Sequence, residues 1–164
     1  MDELKTLTEE AIPGALERAE RYRFLNEPAE AESICLDVLR VSPDNQQAII
    51  MLLLAVTDRF AKGYGVSDTH AKELLGRITG EYEQAYYTGL LAERRAKAKL
   101  AAGGGASSWA YGLLREAMSC YAKAEAVRPP GNDDALLRWN TCARIIARNH
   151  LVPREDDTAE PVLE

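Results

Sequence analysis

The residue types that most often carry out chemistry are scarce and scattered in this 164-residue chain. The two histidines, His70 and His150, stand far apart and match no metal-ligand spacing. The three cysteines, Cys35, Cys120 and Cys142, are odd in number and widely separated, which indicates buried thiols in a reducing, cytoplasmic compartment and not a disulfide framework. We therefore predict no metal site and no cofactor.

Phosphate-loop and carboxylate-pair chemistry are also not indicated. The glycine run 103–105 lacks the following Lys-Ser/Thr of a phosphate loop and follows no predicted strand, so we expect a turn. Glu81 and Glu83 are two residues apart and so lie on different helix faces. The sequence predicts no catalytic residues and no enzyme. A polar site between the fifth, sixth and seventh helices, with converging buried titratable groups, is the alternative that would restore an enzymatic function.

The charged residues are unevenly distributed along the chain. Residues 1–93 hold 17 acidic and 9 basic residues, residues 94–154 hold 4 acidic and 11 basic residues, and residues 155–164 hold five acidic and no basic residues. The basic part is either a solvated surface or a site for an acidic or phosphorylated segment, including the chain's own tail. Nucleic acid is disfavoured because the net charge is −6 and no stacking aromatics alternate with the basic residues.

Turn and cap signals divide the chain into seven predicted helices and no strands, which defines an all-α fold. The predicted helices span residues 12–25, 29–41, 45–61, 67–78, 81–101, 107–127 and 133–149. Ser42, followed by Pro43, is expected to cap the third helix. The longest apolar run, Ala48 to Val56, is too short for a membrane span, and the acidic N-terminus is not that of a signal peptide, so we expect no membrane association.

An internal repeat links these helices. The second and sixth helices share one spacing, Ala31-x3-Cys35-x2-Val38-x4-Pro43 and Ala117-x3-Tyr121-x2-Ala124-x4-Pro129, and the fourth has Ala71-x3-Leu75-x2-Ile78. The preceding helices and the seventh carry a half-pattern of two residues three apart: Ala19 and Tyr22, Leu53 and Val56, Gly89 and Ala92, Cys142 and Ile145. A small residue lets two antiparallel helices approach closely, and the larger residue four positions on fills the gap beside the next pair.

This pattern resembles the second-helix signature of the tetratricopeptide repeat family. The resemblance implies an antiparallel helix-hairpin solenoid of three such repeats plus a C-terminal capping helix over residues 11–149. Residues 1–10 would then form an N-terminal segment, and residues 150–164 an acidic, disordered tail. The third repeat carries a 16-residue insertion relative to the first, so its hairpin is expected to protrude, with the triple glycine at its tip.

In that family, the first helices of successive pairs line a concave groove that binds an extended peptide or a partner helix. The resemblance therefore predicts a non-enzymatic protein-interaction module, or alternatively a self-associating or accessory subunit. The Lys, Asn and Arg residues that grip a C-terminal carboxylate in some members are missing. The third helix is apolar on all faces and is either part of the groove or sealed core. The predicted groove residues are Gln47, Ile50, Met51, Leu54, Tyr86, Leu90, Arg94, Arg138 and Trp139.

Overall fold

A computed structural model describes residues 1–62 and 68–155, and within these ranges the chain is all-helical, without a strand. This confirms the predicted all-α class. The α-helices of these two ranges are α1 (Ile12–Phe24), α2 (Pro28–Val41), α3 (Gln46–Thr57), α4 (Asp68–Gly76), α5 (Glu81–Ala102), α6 (Ala110–Ala126) and α7 (Asp134–Arg148). Short 3₁₀ segments accompany them at Glu9–Ala11, Phe60–Lys62 and Gly104–Trp109.

Two helix boundaries differ from the predicted ones by more than two residues. Helix α3 ends at Thr57 instead of residue 61, and a 3₁₀ turn follows at Phe60–Lys62. Helix α6 begins at Ala110 because the residues expected to open it, Ser107 and Ser108, belong to the preceding 3₁₀ segment. The predicted start of the fourth helix at residue 67 lies outside the described residues.

The start of α3 corrects a predicted cap. The residue that caps this helix is Asn45, not Ser42: its side-chain oxygen accepts a hydrogen bond from the Ala48 backbone N–H at 2.9 Å. Ser42 instead ends α2, and its backbone N–H donates to the Val38 carbonyl. Asn is as good an N-cap residue as Ser, and here it is the one placed directly before the first helical residue.

The connection between α5 and α6 turns at the glycine run. Gly103 and Gly104 have φ values of +69° and +56°, a left-handed conformation that glycine adopts without steric penalty. The backbone N–H of Gly103 donates to the carbonyls of Lys99 and Leu100, which closes the end of α5. The predicted turn at this run is therefore present.

The first compact unit comprises residues 1–79. Within it α1 packs on α2, α2 on α3, α3 on α4, and α1 also contacts α3. Leu16, Val38 and Ala48 form a buried cluster that joins α1, α2 and α3. A further set of apolar α3 side chains is buried: Ile49, Leu52, Leu53, Ala55 and Val56.

The second compact unit comprises residues 80–164. Here α5 packs along α6, and α6 packs on α7. Its buried cluster is dominated by small side chains around a few large ones: Ala92, Ala96, Ala110, Leu114, Ala117, Met118, Tyr121, Ala124, Ala135, Cys142 and Ile145. Small residues allow the helix backbones of this unit to lie close together.

Most positions of the predicted repeat are buried. The buried ones are Ala19, Ala31, Cys35, Val38, Leu53, Val56, Ala71, Ile78, Gly89, Ala92, Ala117, Tyr121, Ala124, Cys142 and Ile145, whereas Tyr22 and Leu75 are half-buried and Pro43 and Pro129 are exposed. The solenoid arrangement and the domain limits at residues 11 and 149 stay predictions. The acidic tail was predicted to begin at residue 150, and its part from residue 156 onwards lies outside the described residues.

Candidate functional site

The predicted groove residues divide between the two units. Four of them lie on α3 in the first unit: Gln47 is exposed, and Ile50, Met51 and Leu54 are half-buried. Complete burial of Ile50 and Leu54 would have argued against a groove, and it is not observed. The spacing of these four positions places them along one side of α3.

The other five predicted groove residues belong to the second unit, on α5 and α7. Leu90 is only 8% exposed and offers little surface to a partner, whereas Trp139 is 37% exposed. The half-buried Tyr86 ring stacks on Tyr82 with centroids 5.7 Å apart, and it meets the Tyr121 ring at 5.6 Å. Arg94 and Arg138 are half-buried.

A buried carboxylate lies at the centre of the second unit, and the sequence interpretation missed it. The Glu93 side chain on α5 is completely buried, yet it is held by groups from α5, α6 and α7. Arg138 binds the Glu93 carboxylate through two nitrogens: Nε donates to Oε1 at 3.1 Å, and Nη2 donates to Oε2. Lys97 Nζ donates to the same Oε2 at 2.9 Å.

Two further donors complete the surroundings of this carboxylate. The Tyr121 hydroxyl on α6 donates to Oε1 at 3.3 Å, and the Cys142 thiol on α7 donates to the same oxygen at 3.4 Å. A buried charge is tolerated only when it is paired and hydrogen-bonded, and Glu93 meets both conditions. We call Glu93, Lys97, Tyr121, Arg138 and Cys142 the Glu93 cluster.

A close approach between α5 and α6 positions this cluster. A Cβ atom added at Gly89 would lie 2.9 Å from Tyr121 Cε1 and 3.1 Å from the Ala117 carbonyl oxygen. Only glycine therefore fits at this point of α5, one turn before Glu93. This contact pairs the small position of α5 with the aromatic position of α6. The repeat spacing predicts the close approach of the two helices, but it places the aromatic side chain beside the next pair.

Burial sets the protonation of the cluster's acidic partners. It raises the pKa of the Cys142 thiol and of the Tyr121 hydroxyl, so both keep their protons and act as donors at neutral pH. Burial, with the neighbouring Arg94 charge as the second cause, lowers the pKa of Lys97. The Tyr86 hydroxyl is also affected: burial raises its pKa to about 12, and the Arg138 charge acts in the opposite direction.

The other two cysteines differ in burial, and His150 borders a cavity at the end of the described chain. Cys35 is fully buried, and burial raises its pKa to about 12, while Cys120 is half-buried. His150 follows α7 and borders a cavity of about 510 Å³ between the C-terminal segment and residues 107–111. Among the described residues, no group of His, Cys, Asp and Glu side chains has an arrangement that could hold a metal ion.

One signal in the sequence could have revealed Glu93. It lies four residues after Gly89 and three before Ala96, both of which are buried, so it continues the inward-facing stripe of α5. An acidic residue on such a stripe requires partners on neighbouring helices. Arg138, predicted as a groove residue on the seventh helix, is one of these partners.

Comparisons of the chain with protein-family models, with curated proteins and with solved structures found no match. No helix in residues 1–62 and 68–155 has both the length and the apolar character that crossing a bilayer requires.

Proposed function

We propose that this chain is a protein-interaction module of the tetratricopeptide-like kind, which binds a segment of another protein on the exposed sides of its first helices. The observation that carries this proposal is the row of half-buried apolar residues on α3. Ile50, Met51 and Leu54 stay partly accessible although the opposite sides of the same helix are buried. A helix with apolar residues on every face meets either core or partner on each of them.

The burial of the repeat positions supports the same proposal. In a repeat architecture, the repeated small and large residues form the helix contacts, and the variable residues between them are available for binding. Gly89 and Tyr121 meet in the way that this division requires. Gln47 lies at the exposed end of the α3 row and adds a polar contact next to the apolar residues.

Selection from a displayed peptide library on the purified protein tests this function. The enriched peptide is then titrated against the wild type and against the double variant Ile50→Gln/Leu54→Gln. We expect the double variant to weaken binding at least about tenfold, because each buried apolar side chain at an interface contributes roughly 1.5–3 kcal/mol. The matched control is Leu36→Gln, which replaces an exposed apolar residue on α2 and should leave binding unchanged.

Two results would contradict the proposal. The first is that no peptide is enriched over a column without protein. The second is that the double variant and the Leu36→Gln control bind the enriched peptide equally well. Urea unfolding of each variant checks that a loss of binding does not come from a loss of folded protein.

Self-association is a second candidate function, and it is favoured by exposed apolar side chains on both units. Phe24 is 76% exposed and Leu25 66% exposed at the end of α1, and Leu137 on α7 is 57% exposed. Light scattering coupled to size-exclusion chromatography at micromolar concentration distinguishes the candidates. A mass of 18.1 kDa, that of one chain, would exclude self-association.

Among the residues that the structure describes, the Glu93 cluster is the feature that favours an enzyme. It brings buried titratable groups from α5, α6 and α7 together, as the enzymatic alternative requires. Its chemistry supports binding better than catalysis, because both oxygens of Glu93 are occupied and the raised pKa of Cys142 keeps the thiol protonated and weakly nucleophilic. Alkylation with iodoacetamide tests this: a Cys142 thiol that reacts faster than Cys120 would restore the enzymatic candidate.

A further inference from the structure

We propose that Arg138 and Lys97, held in place by the buried Glu93, form a receptor for an oxyanion on the partner: the carboxylate or phosphate of an acidic or phosphorylated side chain. This inference rests on the proposed interaction function and names the chemistry of the group that is bound. Glu93 is a positioning residue in it, because the two cations, and not Glu93, would contact the ligand.

The two cations keep donors that Glu93 does not use. Arg138 has five N–H donors and engages Glu93 through Nε and Nη2, so both N–H groups of Nη1 remain. Lys97 has three donors, and one of them is directed at Glu93. The Arg138 side chain is 30% exposed and that of Lys97 43% exposed, so solvent and a ligand can reach both.

The same two side chains are held next to each other. Arg138 Nη2 and Lys97 Nζ both donate to Oε2 of Glu93, so one oxygen atom sets the separation of the two cations. A phosphate or carboxylate has several acceptor oxygens and can bridge two such neighbouring cations. Since Glu93 already orders both long side chains, binding requires little further loss of their rotamer freedom.

The charges around the cluster favour an anion. Two cations share one carboxylate, which leaves an excess of positive charge at a partly buried position. Arg94 adds to this positive potential at Lys97, where its charge opposes protonation of the amine. An incoming oxyanion would offset this repulsion, and its interaction with the cations would be stronger than on an open surface because the site is partly desolvated.

A nuclear magnetic resonance titration with inorganic phosphate tests the site on the full chain. The Nε–Hε resonance of Arg138 is followed in the wild type and in Lys97→Met, Lys97→Arg and Lys123→Met. We expect a saturable shift in the wild type, an affinity about tenfold lower in Lys97→Met, and affinity restored to within about threefold in Lys97→Arg. Lys123 is an exposed lysine on α6 outside the cluster, so its loss should change nothing.

Peptides identify the source of the oxyanion. Three peptides of the same sequence, with phosphoserine, glutamate or alanine at one position, are titrated in the same way. We expect the first two to shift the Arg138 resonance and the alanine peptide to leave it unmoved. If the Arg138 resonance shifts with phosphate but with none of the peptides, the oxyanion site is supported and the protein-interaction function is contradicted. If the peptides bind but the Arg138 resonance does not shift, the protein-interaction function is supported and the oxyanion site is contradicted.

The proposal is also overturned if phosphate produces no saturable shift, or if Lys97→Met and Lys123→Met bind it equally. A further variant tests the positioning role of Glu93. Glu93→Gln preserves the size of the side chain and removes its charge, so hydrogen exchange at Arg138 Nε should accelerate. Unchanged exchange in the folded variant would show that Glu93 does not hold Arg138.

Discussion

The first unit carries its inter-helix ion pairs at the edges of its helices, whereas the second carries a carboxylate inside its core. In the first unit, Arg23 on α1 reaches Asp58 after α3, with Nε 2.8 Å from Oδ2, and both side chains retain contact with solvent. In the second unit, Glu93 is fully buried and depends on Arg138. If its arginine is lost, the half-buried Asp58 can be hydrated, but the fully buried Glu93 cannot. The two units should therefore respond differently to the loss of one charge.

The largest difference is expected when one arginine is removed from each unit. Arg138→Ala leaves Glu93 buried without its main counter-charge and should lower the free energy of unfolding by about 3–5 kcal/mol. Arg23→Ala should lower it by about 1 kcal/mol, since Asp58 can be hydrated. Urea unfolding measures both, with the exposed Arg144→Ala on α7 as the control. Equal losses for Arg138→Ala and Arg144→Ala would mean that Glu93 is not held by Arg138.

The second-largest difference in stability between the two units is expected at alkaline pH. Burial raises the pKa of Cys35 in the first unit, and in the second it raises the pKa of a larger set: Tyr82, Tyr86, Cys120, Tyr121 and Cys142. Each folded group keeps its proton to a higher pH than in the unfolded chain. Its stabilisation is complete below the ordinary pKa, 9.0 for Cys and 10.0 for Tyr, and is lost as the pH rises from there towards the folded value.

Each fully buried group of this kind changes the free energy of unfolding by about 1.4 kcal/mol per pH unit within that window. Tyr82 is more exposed and contributes less, and the lowered pKa of Lys97 acts in the opposite direction. The second unit should consequently lose its structure first as the pH rises from about 9 to about 12. Leucine methyl resonances followed through a pH titration measure each unit separately. Simultaneous loss in both units would contradict the expectation.

A smaller contrast comes from two helical glycines, one in each unit. Gly89→Ala forces a methyl group against Tyr121 and the Ala117 carbonyl and should destabilise the protein by about 1–3 kcal/mol. Gly14 on α1 has open space around the corresponding position, so Gly14→Ala should stabilise by about 0.5–1 kcal/mol through lower backbone entropy of the unfolded chain. The midpoint temperatures of thermal unfolding of the two variants should therefore shift in opposite directions. A shift of both midpoints in the same direction would contradict the close approach of α5 and α6 at Gly89.

The smallest expected effect concerns the start of α3 in the first unit. Asn45→Ala removes the side-chain cap and should cost about 1 kcal/mol, whereas Ser42→Ala should change the free energy of unfolding by less than about 0.5 kcal/mol. Urea unfolding of both variants measures these two losses. A larger loss for Ser42→Ala than for Asn45→Ala would mean that Ser42 caps the helix.

Local spacing predicts the helices and the close approach of α5 and α6 at a small residue, because both depend on residues close in sequence or on a repeated pattern. The repeat spacing assigns Gly89 and Tyr121 to its small and aromatic positions but does not predict that these two residues touch each other. The sequence does not distinguish Asn45 from Ser42, because Ser42 followed by Pro43 carries an equally good cap signal three residues earlier, and only the backbone shows which residue precedes the first turn.

The Glu93 cluster could not be predicted from short stretches of sequence, for a different reason. The partners of Glu93 on other helices lie 28, 45 and 49 residues further along the chain, so no local window contains them. A glutamate is also the residue type expected on a solvated helix face. The sequence predicts Arg138 as a groove residue but not its pairing with Glu93, because that pairing depends on how α5, α6 and α7 pack together.

The placement of the aromatic residues gives the chain a built-in optical reporter. Both tryptophans, Trp109 and Trp139, lie in the second unit, and the Arg154 guanidinium lies over the Trp109 ring at 3.4 Å. Tryptophan emission during unfolding therefore follows residues 80–164 alone, while far-ultraviolet circular dichroism averages over every helix. Coincident curves from the two signals would mean that the units unfold cooperatively, and separated curves would give each unit its own midpoint without any label.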